Sequence, residues 1–265
     1  MLCYYYNEVK LMRLIFIRHR EPDYRKDSLT EKGIEEARLL KEYLKRTDLG
    51  EVYVSPLGRA ALTAQIARGE DYALHTAWWL EEIGNIVDRY RLPELQHAYR
   101  NSIIEKQETH YITWDIMPSY LYTHPEYIHP ENWRNSAISI TGKLGDLYDK
   151  RTGRLDDLLA RHGYHRDGNL YKTEQGNHDT LTFFCHLGIG TLLISHLINV
   201  SPFALWHGFA INTSSITEIY TEEREKGTVI FRISRMGDIS HLSIRNKEPS
   251  FNARFCEVFE DDTRH

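Results

Sequence analysis

Basic side chains of types suited to binding a phosphate group follow three short apolar runs of the sequence. Arginine guanidinium groups match phosphate oxygens in a bidentate manner and stay charged, and a histidine imidazole can act as a nucleophile. Brought to one place, these side chains would form a site for a dianion. The set comprises Arg18, His19 and Arg20 after the first run, Arg59 after the second and His186 after the third.

His19 lies between two arginines, and this setting favours a nucleophilic imidazole. Neighbouring positive charge lowers the pKa of a histidine, so that the ring stays neutral and can attack a phosphorus atom. The surrounding cations would stabilise charge on the equatorial oxygens during transfer. The reaction also needs an acid for the leaving oxygen and a base for the incoming water, and a carboxyl group partly shielded from solvent suits both tasks.

The elements that must position these residues alternate between strands and helices. The apolar run 14–17 predicts a strand covered on both faces, and apolar residues at three- and four-residue steps predict a helix over 31–46. Ser28 or Thr30 can cap the start of that helix. The run 51–54 predicts a second strand, and a second helix follows it directly. Strand, helix, strand, helix in this order indicates a parallel sheet with helices on its faces.

The same pattern returns late in the chain. The sequence predicts a buried strand at 182–185, a helix at 191–199 and two strands at 213–220 and 228–235. We therefore expect an α/β fold, a three-layer α/β/α sandwich with a mostly parallel sheet. Ligands collect at the carboxyl ends of strands in such sheets, and the basic residues above stand at those ends.

One domain over residues 12–250 accounts for the chain, with 1–11 as an N-terminal extension before the strand that follows Met12. Residues 85–178 break the strand–helix alternation and predict an inserted helical and loop segment. Leucine spacing within 133–161 indicates one or two helices there. The insertion would cover the open face of the sheet.

The amino-acid composition limits the kinds of molecule that this protein is expected to bind. Hydrophobic residues make up 41% of the 265 residues and charged residues 27%, which is typical of a folded globular protein. The formal net charge is −5, from 33 Lys and Arg against 38 Asp and Glu. A mildly acidic chain lacks the positive field that general nucleic-acid binding requires, so we expect no nucleic-acid partner.

Cysteine usage and hydropathy predict a cytoplasmic protein. Cys3, Cys185 and Cys256 have the spacing of neither a zinc site nor a disulfide framework, which fits a reducing compartment. The longest apolar stretch, 181–198, contains two histidines and two glycines, and it predicts a buried strand and helix rather than a membrane span. The first ten residues lack the apolar core of a signal peptide.

Four segments resemble, in order, those of the histidine phosphatase superfamily, also called phosphoglycerate mutase-like. The mark of that family is an Arg-His-Gly triplet directly after the first strand, where this chain has Arg18-His19-Arg20. Residues 29–33 (LTEKG), residues 55–60 (SPLGRA) and the late strand that ends in His186 supply the other matches. The resemblance covers roughly residues 12–84 and 180–235.

The resemblance implies a role for each site residue. His19 would be the phosphoryl-accepting nucleophile, and Glu82, in the segment LEEI, the proton donor. The groups implied to bind the phosphoryl group are Arg18, Arg59 and His186.

Two positions depart from the family pattern. Arg20 replaces the glycine of the triplet, and the usual His-Gly after the third strand reads His186-Leu187. A glycine tolerates positive φ and close approach of a ligand, which an arginine does not do cheaply. Arg20 is either an extra contact to phosphate or substrate, or an obstruction of the site.

A literal Arg-His-Gly triplet also occurs elsewhere, at Arg161-His162-Gly163. A helical pattern precedes it, and Gly163 stands where the glycine that ends a helix belongs. We interpret this triplet as a helix end and not as a second catalytic motif.

The sequence thus predicts a phosphomonoester hydrolase that acts on a small phosphorylated metabolite through a phosphohistidine, with no metal and no cofactor. A phosphoglycerate mutase-type phosphoryl transfer is the nearest alternative, since a mutase uses the same intermediate but excludes water from it. A third alternative, raised by Arg20, is a pseudoenzyme that binds a phosphorylated ligand without turnover.

Overall fold

The computed structural model describes residues 11–69, 73–84, 87–88, 92, 110–111 and 116–250 of the chain. One eight-stranded sheet runs through this part of the molecule. Its strands are β1 (Arg13–Arg18), β2 (Glu51–Val54), β3 (His75–Thr76), β4 (His165–Asp167), β5 (Leu170–Lys172), β6 (Thr180–Cys185), β7 (Ile216–Glu225) and β8 (Thr228–Asp238). Two-residue strands also pair in two small ribbons, Pro22–Asp23 with Ser28–Leu29 and Val87–Asp88 with His110–Tyr111.

Helices cover both faces of the sheet. In chain order they are α1 (Glu31–Leu44), α2 (Gly58–Arg68), α3 (Pro118–Thr123), α4 (Ala137–Thr141), α5 (Leu144–Arg161), α6 (Leu187–Ile198), α7 (Pro202–Gly208) and α8 (Ser240–Ser243). Single 3₁₀ turns lie at Trp78–Leu80, Pro125–Tyr127 and Asn132–Asn135.

The sheet has a parallel half and an antiparallel half. The strand order is β3-β2-β6-β1-β7-β8-β5-β4. The pairings β2·β3, β6·β2 and β1·β6 are parallel, and β1·β7 begins the antiparallel half. The three strands β2, β6 and β1 therefore end side by side at one edge.

Alternating side chains of β1 divide the core into two layers. Leu14 and Phe16 face a cluster that includes residues of α5, α6 and α7, and Ile15 and Ile17 face a cluster with residues of α1 and α2. Full burial of such side chains stabilises the fold by about 1.5–3 kcal/mol each. The predicted three-layer α/β/α sandwich is confirmed.

Helix α1 begins against the segment that follows β1. Thr30 is its N-cap, since the Thr30 hydroxyl accepts the Gly33 N–H at 3.0 Å. The helix ends at Leu44, two residues before the predicted end. A Cβ at Gly33 would lie 2.4 Å from the carbonyl oxygen of Glu21, so only glycine lets the first turn pack this closely.

Helix α6 begins at Leu187, earlier than the predicted start at residue 191. Gly188 and Gly190 have low intrinsic helix propensity, and this misled the prediction. Both glycines are buried, and packing of the whole segment against the sheet overrides that propensity.

Part of the predicted insertion, between residues 85 and 115, lies outside the described residues, and the domain limits stay a prediction. The described part of it, from residue 116 onwards, forms α3, α4 and α5. Strands β4 and β5 then complete the antiparallel edge of the central sheet. The predicted helices within 133–161 are α4 and α5. The N-terminal extension at 1–10 lies outside the described residues.

The second Arg-His-Gly triplet ends a helix, as predicted. His162 is the C-cap of α5, and Gly163 has a φ of 85°. The His162 Nδ1 atom lies 2.7 Å from a carboxylate oxygen of Asp179, which precedes β6. Since β6 begins there, His162 lies at the amino edge of the sheet, opposite His19.

Cys185 is a buried free thiol, whereas Cys3 and Cys256 fall outside the described residues. Within the described ranges, no group of three or more His, Cys, Asp or Glu side chains is arranged to hold a metal ion. None of the helices in this part of the chain is long and apolar enough to cross a bilayer.

Candidate active site

The main chain brings the ends of β1, β2 and β6 into register beyond the last strand residue. The His19 N–H donates to the Cys185 carbonyl at 3.0 Å, and the Ser55 N–H donates to the Phe184 carbonyl at 2.9 Å. His19, Ser55 and His186 thus stand side by side at the carboxyl edge of the parallel half. The ring centroids of His19 and His186 are 5.0 Å apart.

His19 is arranged as a neutral imidazole with one ring nitrogen available. Its side chain is buried, and Nδ1 lies 2.7 Å from the carbonyl oxygen of Arg20. A carbonyl only accepts hydrogen bonds, so Nδ1 carries the proton and Nε2 keeps the lone pair. Burial lowers the pKa of His19 well below its usual range, and the charges of Arg18 and Arg59 lower it further.

His186 faces His19 from the end of β6. Its Nε2 lies 2.7 Å from the hydroxyl oxygen of Ser55, and that oxygen also accepts the Leu57 N–H at 3.3 Å. Burial lowers the pKa of His186 well below its usual range, followed by the effects of His19 and Arg59. Ser55 therefore orients the second imidazole of the site.

Arg18 supplies a buried positive charge beside both imidazoles. Its guanidinium donates to the Ile211 carbonyl, and burial lowers its pKa while Glu82 raises it. Arg59 also acts electrostatically on Arg18, which places the two guanidinium groups in one neighbourhood.

Arg59 projects from the first turn of α2 and meets an anion there. Its Nη1 lies 2.5 Å from one carboxylate oxygen of Asp27, whose other oxygen accepts the Gly58 N–H at 2.6 Å. The exposed ring of Tyr24 lies under the guanidinium, 5.4 Å from its carbon to the ring centroid. Asp27 thus places an anion from within the chain in front of this helix.

Glu82 joins the site from the loop after Trp78–Leu80. Its carboxylate accepts the Gly188 N–H at 3.1 Å and the Ile189 N–H at 2.9 Å, both in the first turn of α6. Burial raises the pKa of Glu82, although these main-chain bonds and Arg18 oppose the rise. A carboxyl group with a raised pKa is suited to giving and taking a proton near neutral pH.

Comparison with known proteins shows a similarity to one family of phosphatases. Residues 14–103 match the sequence model of the histidine phosphatase superfamily (branch 1). The adenosylcobalamin/alpha-ribazole phosphatase of Salmonella typhi is 24% identical over 206 residues, which are 74% of this chain and 84% of that protein. The chain is thus similar to the histidine phosphatase superfamily over residues 14–103, and to this phosphatase over most of its length.

Solved structures of two phosphatases share the fold. The phosphoserine phosphatase of Entamoeba histolytica, in complex with 3-phosphoglyceric acid, has a TM-score of 0.55 at 18% identity, over 87% of this chain and 99% of that chain. The alpha-ribazole phosphatase of Shigella flexneri has a TM-score of 0.50 at 20% identity, over 86% of this chain and 96% of that chain.

Arg20, which departs from the histidine phosphatase triplet, is placed in the protein interior. Its side chain is fully buried, and the charged group that acts on it is Glu36 of α1. The structure brings the other predicted residues, His19, Arg18 and Arg59, around His186 and Glu82, whereas the Arg20 side chain is enclosed in the interior with no hydrogen-bond partner among the described residues.

Two supporting residues of this candidate site were missed by sequence reasoning. Ser55 lies inside the matched segment SPLGRA, so its place in the motif was a usable signal. Asp27 had no such signal, since it is a lone aspartate in a polar loop. Its backbone has a φ of 46°, and a Cβ at Gly58 would lie 2.1 Å from its carbonyl oxygen. Asp27 comes close to Arg59 only because of the way this loop folds.

Proposed function

We propose that this protein is a histidine phosphatase, which hydrolyses a small phosphorylated metabolite through a phosphohistidine at His19. The observation that carries the proposal is the available Nε2 of a neutral, buried His19 beside Arg18 and His186. A neutral ring has the lone pair that attack on phosphorus requires.

The first half-reaction transfers the phosphoryl group to the protein. The Nε2 lone pair of His19 forms a bond to phosphorus while the bond from phosphorus to the ester oxygen breaks. The leaving oxygen takes the proton of the Glu82 carboxyl group and departs as an alcohol. Glu82 is suited to this step because its raised pKa favours the protonated form.

The second half-reaction restores the free protein. Water attacks phosphorus, the Glu82 carboxylate takes the proton of that water, and the phosphorus–nitrogen bond breaks. Inorganic phosphate leaves, while His19 is again neutral and Glu82 again protonated. In both halves Arg18 and Arg59 stabilise the charge on the equatorial oxygens, and His186 donates a hydrogen bond to one of them.

The names of the relatives support a small substrate. Phosphatases of alpha-ribazole phosphate type and a phosphoserine phosphatase share the family or the fold of this chain. A histidine-to-alanine mutant of the Entamoeba histolytica protein was solved in complex with phosphoserine. We infer that the substrate here is likewise a phosphomonoester of a small molecule.

The proposal is tested by phosphate release from a panel that contains phosphoserine, 3-phosphoglycerate, alpha-ribazole phosphate and simple sugar phosphates. We expect His19→Ala to lower kcat by at least about 10³-fold, because the covalent path is lost. The matched control is His162→Ala, in the second Arg-His-Gly triplet, which should keep wild-type turnover. Acid-labile labelling of the wild type with ³²P should be absent from His19→Ala.

The alternatives give different results in the same experiment. Isomerisation of 3-phosphoglycerate without phosphate release would show the mutase. Binding of one phosphoester by wild type and His19→Ala alike, with no turnover by either, would show the pseudoenzyme. Either result would overturn the proposed hydrolysis.

A further inference from the structure

The turn at residues 24–27 is fixed by an aspartate at each end. The Asp23 carboxylate accepts the N–H groups of the two residues after Tyr24, at 3.2 Å and 3.4 Å. The Asp27 carboxylate accepts the Gly58 N–H, at the start of α2, at 2.6 Å. Tyr24 therefore stands on a backbone that hydrogen bonds hold in place beside α2.

The Tyr24 ring contacts a guanidinium group that we assign to the binding of phosphate. The ring centroid lies 5.4 Å from the guanidinium carbon of Arg59, which is a cation–π contact. Tyr24 is nevertheless 60% exposed. A guanidinium group covers only one face of a ring, so much of the remaining ring surface is open to solvent. A phosphoryl group that binds Arg59 is therefore held next to an open aromatic surface.

The charged groups of the site also act on the hydroxyl group of Tyr24. Burial of this end of the side chain raises the pKa of Tyr24, and the charges of Arg18 and Arg59 lower it. The charge of Glu82, the proposed acid for the leaving oxygen, raises it. Tyr24 thus stands near both the phosphate-binding arginines and the group that protonates the departing alcohol.

We propose that Tyr24 determines specificity for the alcohol part of the substrate, and that its open ring selects phosphomonoesters in which that part carries a flat aromatic ring. Aromatic pairs in offset-stacked or edge-to-face contact are stabilised beyond the burial of their area. A small polar alcohol part, such as the serine of phosphoserine, offers no such surface. The inference rests on the proposed function and names the substrate class of that site.

The fixed turn strengthens this selection. A side chain that is already held in place loses little conformational freedom when a ligand binds, so more of the contact energy is kept as affinity. A single exposed tyrosine is ordinary on a protein surface. The contact with Arg59 and the hydrogen bonds of Asp23 and Asp27 distinguish Tyr24 from such a residue.

The test compares phosphate release from benzyl phosphate, cyclohexylmethyl phosphate and glycerol 3-phosphate. The first two esters have nearly the same size and similar leaving alcohols, but only benzyl phosphate carries a flat aromatic ring. We expect the wild type to prefer benzyl phosphate over cyclohexylmethyl phosphate by about five- to tenfold in kcat/KM.

Variants of Tyr24 assign the preference to its ring. Tyr24→Ala should lower kcat/KM for benzyl phosphate by about five- to tenfold and remove the preference, with a change of less than about threefold for glycerol 3-phosphate. Tyr24→Phe keeps the ring and should keep the preference. If Tyr24→Ala does not fold, as judged by urea unfolding, Tyr24→Leu carries the same test. The control is Tyr122→Ala, which removes a tyrosine that is 65% exposed on α3 and should change none of the values.

Three results would overturn the proposal. An equal fall in kcat/KM for all three esters in Tyr24→Ala would mean that Tyr24 only holds Arg59. A wild type that hydrolyses benzyl phosphate and cyclohexylmethyl phosphate equally well would mean that the ring does not select a flat partner. A preference that survives in Tyr24→Ala would place the selection in another residue.

Failure of the proposed function gives a separate result. A wild-type protein that releases phosphate from no ester and forms no phosphohistidine would refute the function itself. Calorimetric binding of phenethylphosphonate, in which carbon replaces the ester oxygen of benzyl phosphate, would still test Tyr24. A Kd about fivefold weaker in Tyr24→Ala than in the wild type would support the role of the ring, and an unchanged Kd would refute it.

Discussion

Two opposing influences act on the pKa of Glu82. Main-chain N–H groups of α6 and the charge of Arg18 favour the carboxylate, whereas burial favours the neutral acid and dominates. His19 is also neutral, for the same reason of burial. In the proposed reaction, His19 and Glu82 therefore both act in their neutral forms, which burial favours.

The pH profile of kcat/KM should be bell-shaped as a result. Activity should fall as pH rises through the raised pKa of Glu82, since the acid is then lost. It should fall on the acid side only where the lowered pKa of His19 is reached, since protonation removes the nucleophile. Glu82→Gln should lower kcat/KM by about 10²–10³-fold and abolish the basic limb.

Glu81→Gln is the control for this profile, because Glu81 is the adjacent carboxylate in the same segment. The Glu81→Gln variant should keep both limbs of the pH profile and most of the wild-type kcat/KM. A basic limb that persists in Glu82→Gln and disappears in Glu81→Gln would transfer the role to Glu81.

At the scale of elements, the start of α2 depends on a residue from a distant loop. Leu57, the N-cap position, has no side-chain hydrogen bond of its own, and Asp27 supplies the missing acceptor to Gly58. The same carboxylate fixes Arg59 at 2.5 Å. One side chain thus caps the helix and orients the arginine of the site.

Replacement of Asp27 should therefore affect stability and substrate binding together. Asp27→Ala should lower the free energy of unfolding by about 0.5–2 kcal/mol through loss of the cap. It should also raise KM by about tenfold, because Arg59 is no longer held in place. Urea unfolding and steady-state kinetics measure the two effects.

Asp27→Asn is the matched control, since asparagine tolerates positive φ and its side-chain oxygen can still accept the Gly58 N–H. It should keep the stability of the wild type. A normal KM in a destabilised Asp27→Ala would mean that Asp27 is a helix cap alone and that Arg59 orients without it.

Across the part of the molecule that the structure describes, fully and partly buried histidines tie stability to pH. Burial lowers the pKa of four of them, to about 4 for His207 and about 3 for His241, and well below the usual range for His19 and His186. Below the ordinary histidine pKa the unfolded chain binds protons that the native protein does not, so stability is lost as pH falls through about 6.5. Glu82, with its raised pKa, acts in the opposite direction.

Urea unfolding at about pH 7.5 and pH 5.5 should show this loss, at about 1 kcal/mol for each neutral histidine. His241→Asn removes one titrating ring and should reduce the difference between the two pH values by about 1 kcal/mol. An unchanged difference in that variant would show that His241 does not stay neutral in the native protein.

The sequence predicted those strands and site residues that a pattern within a short stretch of chain identifies. Buried apolar runs marked β1, β2 and β6, and the residues at their carboxyl ends marked the site, because parallel strands end at one edge. The start of α6 was wrong by four residues, since packing overrode the weak propensity of Gly188 and Gly190. The contact of Asp27 with Arg59 depends on how the loop folds, and the burial of the Arg20 side chain depends on how distant segments pack around it. No local sequence pattern predicts either of them.

The strand order β2-β6-β1 has a consequence for synthesis of the chain. The ribosome delivers β1 and β2 more than a hundred residues before β6, and domains in nascent chains can fold only as their segments emerge. Until residues 180–185 insert between them, both early strands keep an open row of main-chain donors and acceptors, which invites pairing with other chains. A nascent polypeptide short of residue 180 already holds His19 and Arg59 but lacks both the strand between β1 and β2 and His186 at its end, so the pocket is completed only late in translation.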